Sequence, residues 1–484
     1  MQHRVGVSLL TLGAFGLTYH LGCVADDGAS PSLSFDGGTL DVAAPDGTAL
    51  QPEAAVDAPA PDVAAAVTVV ALRGGAPAAN VNVVFGDLLT GAVVEAKQTD
   101  AAGRASSAVI GGADVTVLFG TTEQPELVTI KAVEPGDVVA VVDPTFVAAP
   151  TRIMVSAPDA APPTTTNYEV KVGSCRTYAT ALPVELSLAP ECALAGSFPV
   201  LVEAQQSYVG VAFAAEKNHV LSDAGAPDAA SPVAVGGSWA STDTRTIQVV
   251  GAGPTTNGSA SFSEVVGGQA FTNTTSFFGL SDGGPLTTSF AGHPGFATTF
   301  QHEVSVRAVQ NGARLYRSFA TRGSTPNNVA VDLGAMLPAI SEVGIDAAAS
   351  PSRPVVQWKA ESPIVEGDGI VVRVSWSEYP ADGGASVLGH WTILAPPLSS
   401  LIEAPALPPA LASKFAPNAS SMFQTTPTVI LVELSAVPGY RELRQASHQV
   451  QPTEALLNNF AAAVAPSLPV DGTLRLTAAT EATD

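Results

Sequence analysis

Alternating apolar and polar residues dominate the chain after residue 65 and predict short β-strands. Val67-Thr68-Val69 and residues 115–119 alternate as half-buried strands do, and Gly, Pro and Asn separate such segments. Comparable strand-like segments are residues 81–85, 168–173, 199–204, 208–214, 355–359, 369–379, 387–394 and 428–434. The pattern therefore predicts an all-β fold of tandem sandwich domains.

The clearest local signal is a hairpin. Two strand-like runs, residues 302–310 and 313–321, flank Asn311-Gly312, a dipeptide typical of a two-residue type I′ turn. Pairing across this turn places Arg317 opposite Val306 on the apolar face. Two interpretations stay open, a slipped register or a buried cation that needs an acidic partner.

Helical spacing is convincing only near the C-terminus. Leu456, Leu457, Phe460 and Val464 recur on one helix face, and Thr453 is a suitable N-cap. We therefore expect one short helix over residues 453–464, with its apolar stripe packed against a core.

Composition divides the chain into five ranges. Residues 1–22 have the layout of a signal peptide, and residues 23–65 carry eight acidic residues but no Lys or Arg, which predicts a disordered acidic tether. The remaining ranges are predicted β-rich domains at 66–148, 149–348 and 349–484. Over the whole chain, 44 acidic against 21 basic residues give a net charge of -23, which would repel phosphate backbones and argues against a nucleic-acid partner.

The sequence around the expected cleavage point, Tyr19-His20-Leu21-Gly22-Cys23, resembles the lipobox of bacterial lipoproteins. The resemblance implies acylation of Cys23 and firm attachment through several acyl chains. Because Val24 rather than Asp follows Cys23, it also implies transfer to the outer membrane or cell surface. Two alternatives stay open: cleavage after Ala25, which would release a soluble secreted protein, and an uncleaved membrane anchor.

A turn pattern in the first β-rich range carries a second resemblance. Asp100 and Gly103 occupy the positions that a type I turn favours. Together with Gly75-Ala76-Pro77 upstream, the run Thr99-Asp100-Ala101-Ala102-Gly103-Arg104 resembles the carboxypeptidase-regulatory-like and Cna-B-type modules. That resemblance implies an immunoglobulin- or transthyretin-like sandwich of the carbohydrate-binding-like fold group at 66–148, usually a spacer or display module.

The cysteine count fits an exported protein. Besides Cys23 the chain has only Cys175 and Cys192. In an oxidising compartment this pair predicts a disulfide whose loop closure is worth about 3 kcal/mol. The alternative is a pair of buried free thiols.

The sequence contains no recognisable catalytic motif. It has no G-x-S-x-G, H-E-x-x-H or phosphate-binding loop. His293 and His302 could meet across strands, although a satisfied core or surface histidine is the simpler interpretation. We therefore expect no enzyme activity, no cofactor and no metal site.

Three tryptophans form the remaining candidate site. Trp358, Trp376 and Trp391 lie on predicted strands and are candidate stacking platforms for a glycan, although alternation with Val372 and Val374 turns Trp376 inward. The expected function is a cell-envelope lipoprotein that displays β-sandwiches in a structural or interaction role, with glycans or envelope proteins as partners. A carbohydrate-binding surface protein and a secreted hydrolase with an unrecognised site are the alternatives.

Overall fold

A computed structural model describes residues 66–481 except 110, 145–150, 159–160, 190–191, 193–196, 221–230, 252–256, 279–284, 311–312, 380–384, 398–399, 436, 438 and 446–471. Within these residues the chain forms thirty strands and two short helices, so the all-β prediction is confirmed. The predicted signal peptide, Cys23, the acidic tether and the helix at 453–464 lie outside the described residues.

The strands before residue 149 are β1 (Val67–Arg73), β2 (Ala76–Pro77), β3 (Asn82–Asp87), β4 (Val93–Gln98), β5 (Arg104–Ser107), β6 (Ala113–Gly120), β7 (Pro125–Val133) and β8 (Val138–Val142). Those up to residue 348 are β9 (Thr151–Ser156), β10 (Asn167–Val172), β11 (Cys175–Ala179), β12 (Val184–Leu188), β13 (Phe198–Gln206), β14 (Val209–His219), β15 (Ser231–Ala234), β16 (Ala240–Ser241), β17 (Asp243–Val250), β18 (Asn257–Val266), β19 (Gln269–Phe278), β20 (Leu286–Gly292), β21 (Thr299–Gln310), β22 (Ala313–Gly323), β23 (Val329–Asp332) and β24 (Ile340–Asp346). The remaining elements are β25 (Val355–Ala360), β26 (Gly369–Glu378), β27 (Val387–Ala395), β28 (Leu401–Glu403), α1 (Pro409–Phe415), β29 (Met422–Leu434), α2 (Tyr440–Gln445) and β30 (Gly472–Glu481).

One large sheet joins distant parts of the chain. Its twelve strands run in the order β19-β18-β21-β22-β30-β29-β26-β27-β7-β6-β3-β4. Strand β7 pairs in parallel with β27, and β22 pairs antiparallel with β30. This sheet therefore takes strands from all three of the predicted β-rich ranges.

Smaller sheets pack on this frame to make sandwiches. The sheet of β1, β2, β5 and β8 and the sheet of β24, β25 and β28 cover opposite faces of the middle of the large sheet, and β17, β20 and β23 cover its β18–β21 part. A separate sandwich is formed by β11-β10-β13-β14-β16 against β12-β9-β15. Each sandwich has its own core. The core under the β1–β2–β5–β8 sheet contains Phe85 and Val69, and the core under the β24–β25–β28 sheet contains Trp376 and Val356. The core under β17, β20 and β23 contains Phe262 and Ile247, and the separate sandwich contains Val170 and Ile153.

The predicted turn and disulfide are both present. Asp100 Oδ1 accepts hydrogen bonds from the backbone N–H groups of Ala102 and Arg104, each at 2.8 Å. Gly103 has a φ of 70°, and a Cβ there would lie 2.6 Å from the carbonyl oxygen of Ala71, so only glycine fits. Cys175 and Cys192 form a disulfide with a Cα–Cα distance of 6.0 Å.

The predicted hairpin has the expected register. Gln310 pairs with Ala313 and Val306 pairs with Arg317, while the two turn residues between the strands are outside the described part. Burial lowers the pKa of the half-buried Arg317 guanidinium, and the charge of Glu361 acts in the opposite direction. The register is therefore not slipped, and Arg317 lies half-buried opposite Val306, where the charge of Glu361 favours its cationic form.

Three elements were not predicted. Residues 231–234 form a strand because they pair in parallel with β9. Pro409–Phe415 is helical, since Pro at the first helical position is favourable. The Tyr440–Gln445 helix was not predicted either.

Candidate functional site

The three tryptophans offered as glycan-stacking residues are buried. Trp358, Trp376 and Trp391 are 5%, 2% and 0% exposed. Trp376 packs so closely on Gly389 that a Cβ there would lie 2.1 Å from its ring, and the indole N–H of Trp391 donates to Thr129 Oγ1 at 2.8 Å. Their rings belong to a sandwich core, so the stacking interpretation is withdrawn for all three.

The most unusual side chains gather where the five-stranded sheet meets the β18–β19 end of the large sheet. Five ionisable residues lie there, and none is more than 4% exposed. We call this group the charged cluster; its members are Glu169, Lys171, Glu203, Glu264 and His293.

Strand alternation places the cluster on one face of β10 and β13. Val170 and Val202 point into the apolar core of their own sandwich, so Glu169, Lys171 and Glu203 point to the opposite face. An isolated sandwich would expose that face to water. Here Glu264 of β18 and His293, which follows β20, lie against it.

Lys171 is the cation at the centre of the cluster. Its Nζ lies 3.1 Å from Glu203 Oε1, 3.2 Å from Glu169 Oε2 and 2.7 Å from Asn273 Oδ1. Burial acts to lower the pKa of Lys171, but the two carboxylates more than offset this and the pKa is raised. The side chain is therefore an ammonium ion at neutral pH.

His293 is the second cation. Its Nδ1 contacts Glu264, and its backbone N–H donates to Glu264 Oε1 at 3.0 Å. Its Nε2 lies 2.8 Å from Glu203 Oε1, but the ring N–H bond does not point at that oxygen. Burial acts to lower the pKa of His293, but contacts with the Glu203 and Glu264 carboxylates raise it to about 9. Edge-on rings of Phe213 and Phe296 complete the enclosure.

Charges balance within this enclosure. Burial acts to raise the pKa of Glu203, but Lys171 and His293 hold it well below its usual range. Arg176 lies at the rim of the enclosure, and its guanidinium is 3.8 Å from Glu169 Oε1. Three carboxylates thus face three cations, which makes burial of all of them tolerable and leaves no member open to a substrate from solution.

A second polar arrangement lies on β26, β27 and β7. Ser375 Oγ is 2.9 Å from His390 Nδ1, and Glu126 stands in register with His390 on the next strand. Burial and the charge of Arg373 lower the pKa of His390 to about 4, while burial raises the pKa of Glu126 to about 7. A neutral imidazole with so low a pKa is a weak general base, so the serine is poorly activated.

The other sequence candidates do not form a site. His293 belongs to the charged cluster, whereas His302 packs on the Phe262 ring, and burial lowers its pKa to about 4. Over the described residues, no group of three or more His, Cys, Asp or Glu side chains could hold a metal ion. Neither of the helices that the structure describes is long and apolar enough to cross a membrane.

Comparisons with known proteins leave the family open. No family model matches the chain, and no curated protein matches it. Among solved structures, the Bacillus anthracis TIE protein is similar over 56% of this chain at 8% identity, with a TM-score of 0.15. The similar region spans 50% of that chain.

Proposed function

We propose that this chain is a non-enzymatic cell-envelope lipoprotein that displays β-sandwiches in a structural or interaction role. The observation that carries the proposal is the charged cluster, whose ionisable groups are enclosed between two sheets and engaged with one another. Such a cluster holds sandwiches together, and its buried side chains are inaccessible to a substrate. The twelve-stranded sheet, which ties distant segments into one frame, supports the same role.

The anchor in this proposal is a lipid on Cys23, and its removal is the direct test. Cys23→Ser should move the protein from the membrane fraction to the soluble fraction and abolish incorporation of a radiolabelled fatty acid, because the thiol is the acylated group. Fractionation and labelling of cells that express the full chain measure both effects.

The matched control is the double substitution Cys175→Ser and Cys192→Ser, which removes the disulfide and leaves Cys23 in place. This variant should stay in the membrane fraction with its label. Unchanged partitioning of the Cys23→Ser protein would contradict the lipid anchor.

A secreted hydrolase is the second candidate function, and the Ser375–His390 contact is the observation that favours it. We expect a fluorophosphonate probe to leave the purified protein unlabelled, since an imidazole with a pKa of about 4 does not activate the hydroxyl at neutral pH. The measurement is gel fluorescence beside a known serine hydrolase. Labelling that disappears in Ser375→Ala would replace the structural role with the hydrolase.

A further inference from the structure

Arg373 of β26 is a half-buried arginine whose charge nothing neutralises. Its Nε is buried without a hydrogen-bond partner, and within the part of the chain that the structure describes its guanidinium forms no ion pair. Arg444 and Arg475, by comparison, each contact two carboxylates. An unpartnered arginine is unexpected in a chain with 44 acidic and 21 basic residues. A buried donor left unsatisfied is costly, and a ligand at this position would satisfy it.

Other polar side chains share the face of the large sheet on which Arg373 lies. Ser375 and Ser377 follow it on that face, since they alternate with Trp376, which belongs to the core on the opposite side. Ser375 Oγ is 2.9 Å from Nδ1 of His390, its partner on β27. Ser377 is fully buried, and its Oγ also has no hydrogen-bond partner. We call these four residues the Arg373 site.

Strand β29 is irregular beside this site. Its successive partners of the three β26 residues are Thr428, Thr425 and Met422, so β29 has one extra residue in each interval. Such bulges bend a strand and redirect its side chains, and they are common next to binding and active sites. Two bulges within seven residues of β29 therefore distinguish this part of the sheet from its regular neighbours.

Exposed apolar side chains lie next to the polar members of the site. Leu388 and Met422 both pair with Ser377, and Tyr379 directly follows the end of β26. Leu388, Met422 and Tyr379 are 44%, 54% and 57% exposed. Ligand sites typically combine such apolar and aromatic side chains with a few polar groups that fix the orientation of the ligand. A sugar ring, with its apolar C–H face and polar edge, matches that combination.

We propose that the Arg373 site binds a sugar that carries a carboxylate group. The planar guanidinium of Arg373 would hold the carboxylate in a bidentate pair, which also satisfies its Nε side. The hydroxyl of Ser377 would gain a partner on the ligand, and Tyr379 and Met422 would contact the ring. This site shares no residue with the three buried tryptophans, and it is independent of the lipid anchor and of the display role.

The charges around the site favour one carboxylate over a polyanion. The net charge of -23 repels polymers that carry many phosphate groups. Burial raises the pKa of Glu126, the β7 partner of His390, to about 7, and the charge of Asp143 acts in the same direction. Glu126 is therefore a weak competitor for Arg373 at and below neutral pH. Arg373 thus remains available to an anion from solution.

Titration of the purified full chain with glucuronate tests the proposal, with His390 as the reporter. Burial and the charge of Arg373 lower the pKa of His390 to about 4, so a carboxylate bound beside Arg373 should raise it by about one pH unit. NMR of isotope-labelled histidine rings measures this pKa, and His390→Gln identifies the signal. Glucose lacks the carboxylate and should cause no shift. Acetate lacks the ring and should bind about tenfold more weakly than glucuronate.

Three arginine variants assign the contact. Arg373→Gln should weaken glucuronate binding at least about tenfold, because charge-assisted hydrogen bonds are lost. Arg373→Lys keeps the charge without the planar fork, so its affinity should be intermediate. Arg317→Gln is the matched control, since Arg317 is also half-buried in the large sheet with an unpartnered Nε, but on the opposite face. This control should bind glucuronate as the native chain does.

A measurement on the native chain decides the outcome even if a variant fails to fold. A His390 pKa that glucuronate leaves unchanged would mean that no carboxylate binds beside Arg373, and the proposal would fall. Equal affinities for acetate and glucuronate would overturn the sugar ring as part of the ligand. Equal weakening in Arg317→Gln and Arg373→Gln would overturn the assignment to this site.

Discussion

Replacing His293 with Gln is expected to lower the free energy of unfolding by about 3–5 kcal/mol near neutral pH, the cost typical of removing one partner from a buried ion pair. Glu203 and Glu264 would then face a neutral amide in an enclosure that excludes water. Urea unfolding followed by circular dichroism measures the change.

The same histidine gives stability a defined pH dependence. Its pKa is raised from 6.5 to about 9 in the folded chain, so the folded chain binds the proton more tightly than the unfolded chain does. The stabilisation is complete below about pH 6.5 and is lost as the pH rises through about 9. Between about pH 7.5 and about pH 9.5 we expect a loss of about 2 kcal/mol.

His302→Gln is the matched control. His302 is also buried, but burial lowers its pKa to about 4, so it is neutral throughout that alkaline range. The His302 variant should keep the alkaline decline and the His293 variant should lose it. An unchanged decline in His293→Gln would mean that another group carries the pH dependence.

Trp391→Ala is expected to cost about 3–5 kcal/mol, because it removes a fully buried aromatic ring from a core that cannot close the space. Trp391 lies on β27 beside β7, and Thr129, which accepts its N–H, also contacts Thr116 Oγ1 at 2.8 Å. The substitution therefore weakens the packing between β7 and β27, which are far apart in sequence. Urea unfolding of the full chain measures the loss.

Trp391→Phe separates the two contributions of this side chain. It keeps most of the ring but removes the N–H donor, and Thr129 retains Thr116 as a partner. We expect a cost of about 1 kcal/mol from the lost hydrogen bond. A Trp391→Ala protein as stable as the Phe variant would show that the volume of the ring does not stabilise the packing between β7 and β27.

Local features of the sequence predicted local features of the fold. Alternation located the strands that hold the main cores, and the Asn311-Gly312 dipeptide predicted the register of the β21–β22 hairpin, which the pairing of Gln310 with Ala313 confirms. Asp100 and Gly103 predicted their turn because the backbone itself requires those residue types. The Cys175–Cys192 disulfide followed from a count.

Contacts between distant strands were beyond prediction. On amphipathic strands, polar residues that alternate with apolar ones usually face solvent, and this is the pattern of Glu169, Lys171 and Glu203. They are buried only because a second sheet docks against their face. Asn273 lies 102 residues from Lys171, and no local pattern relates the two. Ser375 and His390 are likewise 15 residues apart on different strands, outside any spaced motif.

Sheet order has a consequence for how the chain reaches its native state. Strand β7 pairs with β27, whose Trp391 lies 262 residues beyond its partner Thr129, and β30 sits between β22 and β29 although it follows every other described strand in sequence. During synthesis, the edge of β7 therefore waits unpaired until residues 387–395 have been made, and the edges of β22 and β29 wait until residues 472–481 have been made. Pairings of such long separation close slowly, so the nascent chain must be kept from aggregating through these edges before its sheet is complete.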